Sequence, residues 1–449
     1  MSSGEAAWGA RAASGDAGRA SPWLAMLVGA GILAAATIGL WRGAEPFTTW
    51  YYQFAWYSLL LACDGLGALV GVTGRRGEFL LLGKPKHLLT LLGWSAVVWL
   101  FYELWNFRLQ NWYYVNLPHG AALRWASTAV AFATVLPAVF LSSGLLGRAG
   151  LAANARWRAF ALGERGLRRI QLAGAVMVAL VLIWPRYCYP LVWGATTLLV
   201  EPWVYRRAPA RSLLHDLSEG RPARLLRLLA GGVLIGFVWE MLNIRARAKW
   251  IYTVPGFEEL KLFEMPLPGF LGFPPFALEC FVLWQALVVL GVAVPRYGQT
   301  RAAPKRLRIA AVALALAGSL AVLWGMDRAT VASLRPRLAD LGVPAAPLTA
   351  AGFDAFRLAS ADASVVADVA GRDGRAAEAW IERARLATLR GIGVEGATAL
   401  ARVGIVSVEQ LAVADAAELV RALERATGAD FVDARVRVWV RAARRATVS

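Results

Sequence analysis

Phe101-Tyr102-Glu103-Leu104-Trp105-Asn106-Phe107-Arg108, followed by Trp112-Tyr113-Tyr114 and Pro118, has a second version farther along the chain. That version reads Val238-Trp239-Glu240-Met241-Leu242-Asn243-Ile244-Arg245, followed by Trp250-Ile251-Tyr252 and Pro255. Glu103 and Glu240, Asn106 and Asn243, Arg108 and Arg245, and Pro118 and Pro255 are all 137 residues apart. Trp56 and Trp193, and Pro137 and Pro274, keep the same offset, and Asp64 falls opposite Glu201. One offset held over such a distance predicts a tandem duplication. Each copy ends an apolar run and sets a carboxyl, an amide and a guanidinium at its edge.

The runs that these copies terminate decide the class. Of 449 residues, 58% are hydrophobic and only 17% charged, with a mean hydropathy of +0.49. A soluble chain carries about 25% charged residues. Apolar runs near spanning length fall at Trp23–Leu40, 46–71, 87–106, 124–147, 170–185, 187–204, 223–242, 269–293 and 308–326. They predict a polytopic all-α membrane bundle of about nine spans, since lipid offers the backbone no hydrogen-bond partner. The fifth run ends at Trp184-Pro185, so the fifth and sixth also read as one broken hairpin.

The net charge of +18 is placed by topology. Basic residues gather after the second span (Arg75, Arg76, Lys84, Lys86), the fourth (Arg148 to Arg169), the sixth (Arg206 to Arg224) and the eighth (Arg296 to Arg308). Alternate basic loops are those expected in the cytoplasm, in a multi-pass protein of the bacterial inner membrane. The aromatic segments Asn111–Pro118 and Lys249–Pro255 then lie on the outer face. Repeats of about four spans keep their orientation, so the halves should be related by a pseudo-twofold axis along the membrane normal.

The domain reading follows: a disordered polar lead over 1–22, membrane repeats over 23–169 and 170–307, a final span over 308–326, and a soluble helical tail over 327–449. The tail has no lysine and mixes charges of both signs. It too looks duplicated. Leu348 to Phe353 matches Leu400 to Ile405, and Ala359 to Asp362 matches Ala412 to Asp415. Its second copy contains Leu389-Arg390-Gly391-Ile392-Gly393-Val394-Glu395-Gly396-Ala397, which resembles a helix-hairpin-helix motif. That resemblance covers about the last 65 residues. It implies a tight turn at Gly391 and Gly393, whose amides contact a phosphate or a partner. The tail's charge is nearly balanced, so a protein partner is expected and nucleic acid is not.

Intramembrane acids mark the candidate site. A charge at the bilayer centre costs about 3 kcal/mol on insertion scales, so such groups face the bundle interior. Glu279, Glu240 and Asn243 are the candidate catalytic residues. Asp64, Glu103, Asn106, Arg108, Glu201, Arg245, Trp250 and Tyr252 are the candidate ligand-binding residues. Glu and Asn three apart share a helix face, which predicts an amide that orients the carboxyl. Interfacial anchoring is the plainer role for Glu103 and Glu240. Glu279 has Ser142 at the matching place in the first repeat. Phe263 to Pro275, dense in proline and glycine, reads as the rim of a cavity.

Trp239-Glu240, Lys249-Trp250-Ile251-Tyr252 and Phe263-Glu264-Met265-Pro266 resemble the duplicated lycopene-cyclase-type membrane domain, over roughly residues 185–290. That family's Pro-Leu-Glu-Glu element is here Pro266-Leu267-Pro268-Gly269. The resemblance implies an acid-catalysed isoprenoid rearrangement without net redox change. No nucleotide loop, metal-ligand spacing or nucleophile motif is present, so neither cofactor nor metal is expected. Three functions remain open: an apolar or isoprenoid-like lipid bound or processed by acid catalysis with Glu279 or Glu240 as proton donor, transport of a lipidic or proton-coupled solute, and a non-catalytic scaffold presenting the tail. Membrane lipid, an apolar small molecule and a protein partner of the tail are the expected contacts.

Overall fold

The computed structural model describes residues 21–254, 260–298 and 301–448. Most of the expected polar lead, and Pro255 of the second copy, lie outside them. Eight of the described helices are long and apolar enough to cross a membrane. In chain order the membrane part comprises α1 (Pro22–Trp41), α2 (Phe47–Val70), α3 (Pro85–Leu109), β1 (Trp112–Val115), α4 (Ala121–Phe132), α5 (Val135–Arg148), α6 (Glu164–Ile183), α7 (Val192–Arg207), α8 (Ala223–Arg245), β2 (Lys249–Tyr252), β3 (Lys261–Leu262), β4 (Met265–Pro266), α9 (Phe273–Val289) and α10 (Lys305–Ala329). Helices α4 and α5 run on as one spanning segment, and a 3-10 turn over Leu267–Gly272 extends α9.

The expected sixth span is the exception to the nine. Pro185 and Pro190 break its start into a four-residue helix and a 3-10 turn, leaving α7 with 16 residues. A proline removes a helical donor and clashes with the preceding turn. Small residues set the close packing elsewhere. A Cβ on Gly29 would lie 2.5 Å from the Ser58 carbonyl oxygen, and one on Gly65 would lie 2.7 Å from the Met26 amide, so α1 and α2 touch backbone to backbone.

The helices enclose a main core, with Trp56, Leu91, Tyr102, Leu136 and Ala277 among its most buried members. The basic loops meet at one end. Lys84 Nζ donates to the Arg296 carbonyl at 2.7 Å, Arg296 pairs with Glu78 at 2.8 Å, and Arg211 donates to the Tyr297 carbonyl at 3.1 Å. Helices α3, α8 and α10 all run from that end to the other, where β1 and β2 lie.

The tail has its own core, built around Leu348, Leu358, Val366, Leu400, Leu411 and Trp439. Its helices include α11 (Gly374–Thr388), α12 (Gly393–Arg402) and α13 (Asp433–Val448). The matched stretches take matched geometry. Gly352 and Gly404 have φ of +82° and +83°, and the next amide in each case returns to a carbonyl five residues back: Phe353 to Leu348 at 2.9 Å and Ile405 to Leu400 at 3.0 Å. Asp362 and Asp415 each cap the helix that follows.

Candidate functional site

Two asparagines build the site's frame. Helix α3 ends where Gln110 turns left-handed, at φ 51°. Asn106 then captures the emerging strand. Its Oδ1 accepts from the Asn111 and Trp112 amides at 2.9 and 3.3 Å, and its Nδ2 donates to the Trp112 carbonyl at 2.9 Å. Asn243 holds the second copy alike, accepting from the Trp250 amide at 3.3 Å and donating to the Trp250 carbonyl at 3.0 Å. Both side chains therefore serve the strand backbone, a role that the sequence reading did not include.

The strands so placed pair antiparallel. Trp112 lies opposite Tyr252, Tyr113 opposite Ile251, and Tyr114 opposite Trp250. Matching Trp112 with Trp250 and Tyr114 with Tyr252 makes the spacing 138 here, one residue more than in the helices. With that match the ribbon is symmetric about its Tyr113–Ile251 pair. Alternation then divides its faces. Trp112, Tyr114, Trp250 and Tyr252 point into the bundle, whereas Tyr113, Val115 and Ile251 pack on Val438 of the tail.

Three fully buried carboxyls stand behind the inward face. Trp99 Nε1 and Trp112 Nε1, both at 3.0 Å, and the Tyr114 hydroxyl at 2.6 Å donate to Oε1 of Glu103. The Tyr252 hydroxyl donates to Oε1 of Glu240 at 2.9 Å. Glu279 accepts from the Tyr102 hydroxyl at 2.5 Å on one oxygen and from the Thr196 and Thr197 amides at 2.8 and 3.3 Å on the other. Among the described residues, the second oxygens of Glu103 and Glu240 meet no donor.

The donors to Glu103 and Glu240, not the carboxyls themselves, form part of the wall of a chamber of about 60 Å³. Trp99, Trp112, Tyr114, Trp250 and Tyr252 line it from the Glu103 and Glu240 side. Trp193 and Phe276 line it on the side of Glu279, each packed on the Tyr102 ring at 5.4 and 5.2 Å. Met265, Gly269, Gly272 and Phe273 complete it, so the proline- and glycine-dense stretch does sit at its edge. A second space of about 60 Å³ lies across Trp99, Tyr114 and Trp250, which line both. Tyr189 lines the first and Tyr52, 137 residues earlier, the second. Each has room for only a few molecules the size of water and is well below the roughly 300 Å³ of a small ligand pocket.

Other expected site residues stand elsewhere. Asp64 is buried but binds the loop after its own helix, accepting from the Leu80, Leu81 and Leu82 amides at 2.8 to 3.1 Å. Glu201 does likewise, taking the Ser212 hydroxyl at 2.6 Å and the Leu214 amide at 2.9 Å. Ser212 also caps the next short helix through the His215 amide. Ser212→Ala is expected to cost about 2–4 kcal/mol in a detergent melt, a cap together with the hydroxyl's bond to the buried Glu201 carboxyl, while leaving the ribbon untouched. Arg108 and Arg245 are exposed, and Arg108 donates to the Leu182 carbonyl at 3.0 Å. Five residues turn a helix by about 140°, which carries each arginine off the face of its glutamate. Gly391 and Gly393 do not form an open cradle. They press on the chain itself, at Tyr113 and Ser333.

Trp99, Tyr102, Trp193 and Phe276 were not among the expected site residues. A signal for two of them exists: Trp99, Tyr102, Glu103 and Asn106 fall at helical spacing on one face. Glu264, fully buried, was also missed. It holds Lys249 at 3.0 Å and Arg390 of the tail in a closer bidentate pair.

No curated protein and no solved structure matches this chain. Residues 349–445 match a family model described as Domain of unknown function (DUF4332), so the C-terminal part of the chain carries that domain and the chamber lies outside it.

Proposed function

We propose that this is a bacterial inner-membrane protein whose bundle binds an apolar, lipid-like molecule in the aromatic chamber. One observation carries the reading: four side chains that line the chamber, Trp99, Trp112, Tyr114 and Tyr252, also donate to two buried acids, Glu103 and Glu240. Buried carboxyls in a bundle interior, reached through wall hydroxyls, suit a ligand that is apolar along its length and meets polar groups at few points. The chamber is narrow, so binding requires its rings to move apart. If the bound molecule is transformed, Glu240 is the best proton donor, because one of its oxygens is unengaged and Tyr252 links it to the chamber wall. Glu279, with both oxygens occupied, acts as a positioning residue. The matched asparagines, the symmetric ribbon and the paired chambers support a duplicated scaffold with a pseudo-twofold axis through the ribbon. The basic loops at the opposite end favour a ribbon and tail on the outer side.

A non-catalytic scaffold is the second reading. It is favoured by Asp64 and Glu201, two intramembrane acids that fasten loops.

Mass spectrometry of protein purified from its native membrane tests the reading. An apolar species is expected to co-purify at near-stoichiometric amount and to fall several-fold in Trp250→Ala but not in Ser212→Ala. Glu240→Gln is expected to retain it. Equal lipid background in wild type and Trp250→Ala would sink the chamber as a binding site.

A further inference from the structure

The ribbon has two faces with two different tenants. Its inward rings wall the chamber. Its outward Tyr113 meets the tail at Gly391, where φ is +85° and an added Cβ would lie 2.4 Å from the Tyr113 hydroxyl. The tail backbone thus comes as near as a chain can. Tyr113 donates to the Gly391 carbonyl at 3.4 Å, Trp439 Nε1 donates to the same oxygen at 2.7 Å, and the Arg435 guanidinium lies 4.7 Å from the Tyr113 ring centre.

Arg390, one residue before, pairs with Glu264. Glu264 sits beside Met265 of the chamber rim and also holds Lys249, the first residue of β2. A single step of tail backbone, Arg390-Gly391, therefore grips both the ribbon and the rim. The segment after α10 adds to this hold through two isolated parallel bridges, Val331 to Tyr114 and Leu334 to Leu117. Tyr114 donates to the Thr330 carbonyl at 2.7 Å and Ala332 to the Tyr114 carbonyl at 2.8 Å.

We infer that the tail domain is a latch on the chamber: docked, it fixes the ribbon across the chamber's mouth, and undocked, it lets the ribbon lift and admit the ligand. This rests on the chamber reading above. The glycines of the hairpin then serve intramolecular contact, since their small size is what permits Tyr113 and Ser333 to close against them.

The test uses the full chain in lipid nanodiscs, with cis-parinaric acid as the apolar probe, read by energy transfer from tryptophan. Hydrogen exchange over 112–115 and 249–252 is measured in parallel. Arg390→Ala is expected to raise ribbon exchange about tenfold, as for loss of one charged contact, and to speed probe uptake by a similar factor. Exchange within the tail core should not change, which guards against simple misfolding, and Arg390→Lys should restore most of both. Unchanged ribbon exchange overturns the latch while probe binding still supports the chamber. Raised exchange with wild-type uptake rate overturns the gating role. Raised exchange with no probe binding in any form overturns the chamber reading and the gate with it, leaving the tail a clamp.

Discussion

Glu264→Gln is expected to destabilise the protein by about 3–5 kcal/mol, the usual result of removing one partner from a buried ion pair. The carboxylate is fully buried between Lys249 and Arg390, themselves 14% and 19% exposed. An amide in its place leaves two cations facing each other with no counter-charge. The loss should appear as a lowered melting temperature in detergent and as early hydrogen exchange at the contact between tail and ribbon. Burial alone would raise the Glu264 carboxyl, but Lys249 and Arg390 together hold it below its ordinary 4.5. A depressed folded value means that its stabilisation is fully present above the ordinary value and disappears as pH falls through the folded one. Docking of the tail should accordingly be unaffected from neutrality to pH 5 and weaken below 4.5, and Glu264→Gln should abolish that dependence. A variant that melts with the wild type, with an unchanged acid limb, refutes the buried triad.

Asn106→Ala is expected to follow, at a cost on the order of 3 kcal/mol, because three backbone groups at the start of β1 lose their partner and each buried orphan costs about 1–3 kcal/mol with partial relaxation. Asn243→Ala removes fewer contacts and should cost less, about 1–2 kcal/mol. The discriminating measurement is exchange over 112–115: fast in Asn106→Ala, nearer to wild type in Asn243→Ala. If instead the two variants were equally mild while Glu103 chemistry changed, the asparagines would be orienting carboxyls after all.

The repeated Glu-x-x-Asn stretch marked the two helix ends that carry Glu103 and Glu240, and apolar run length told eight of the nine expected spans, the broken run at 187–204 being the exception. Other features were out of reach for physical reasons. Four-residue strands give too little alternation to be recognised, and Trp112-Tyr113-Tyr114 has none in its hydropathy. Its division into faces exists only once Trp250 to Tyr252 lies beside it. The step from 137 to 138 between Asn243 and Trp250 can be counted in the sequence, but its consequence, a ribbon symmetric about the Tyr113–Ile251 pair, follows only from the pairing register. Arg108 and Arg245 shared the repeat but not the helix face. Glu264 and Arg390 are 126 residues apart, and nothing local announces that they meet. In the tail, by contrast, the matched Asp362 and Asp415 take matched caps and the matched Gly352 and Gly404 matched turns, because capping is a local event.

The bridged segment after the last span shortens the tail's leash. Leu334 is bridged to Leu117, and the tail's own core begins at Leu338, so only about 13 Å of chain separates an anchored point from a folded body. A domain held that closely experiences an effective concentration in the millimolar range for its own docking surface. Any outside molecule that competes for the face of Tyr113 and Ile251 must overcome that advantage, and displacement will look like local peeling rather than departure.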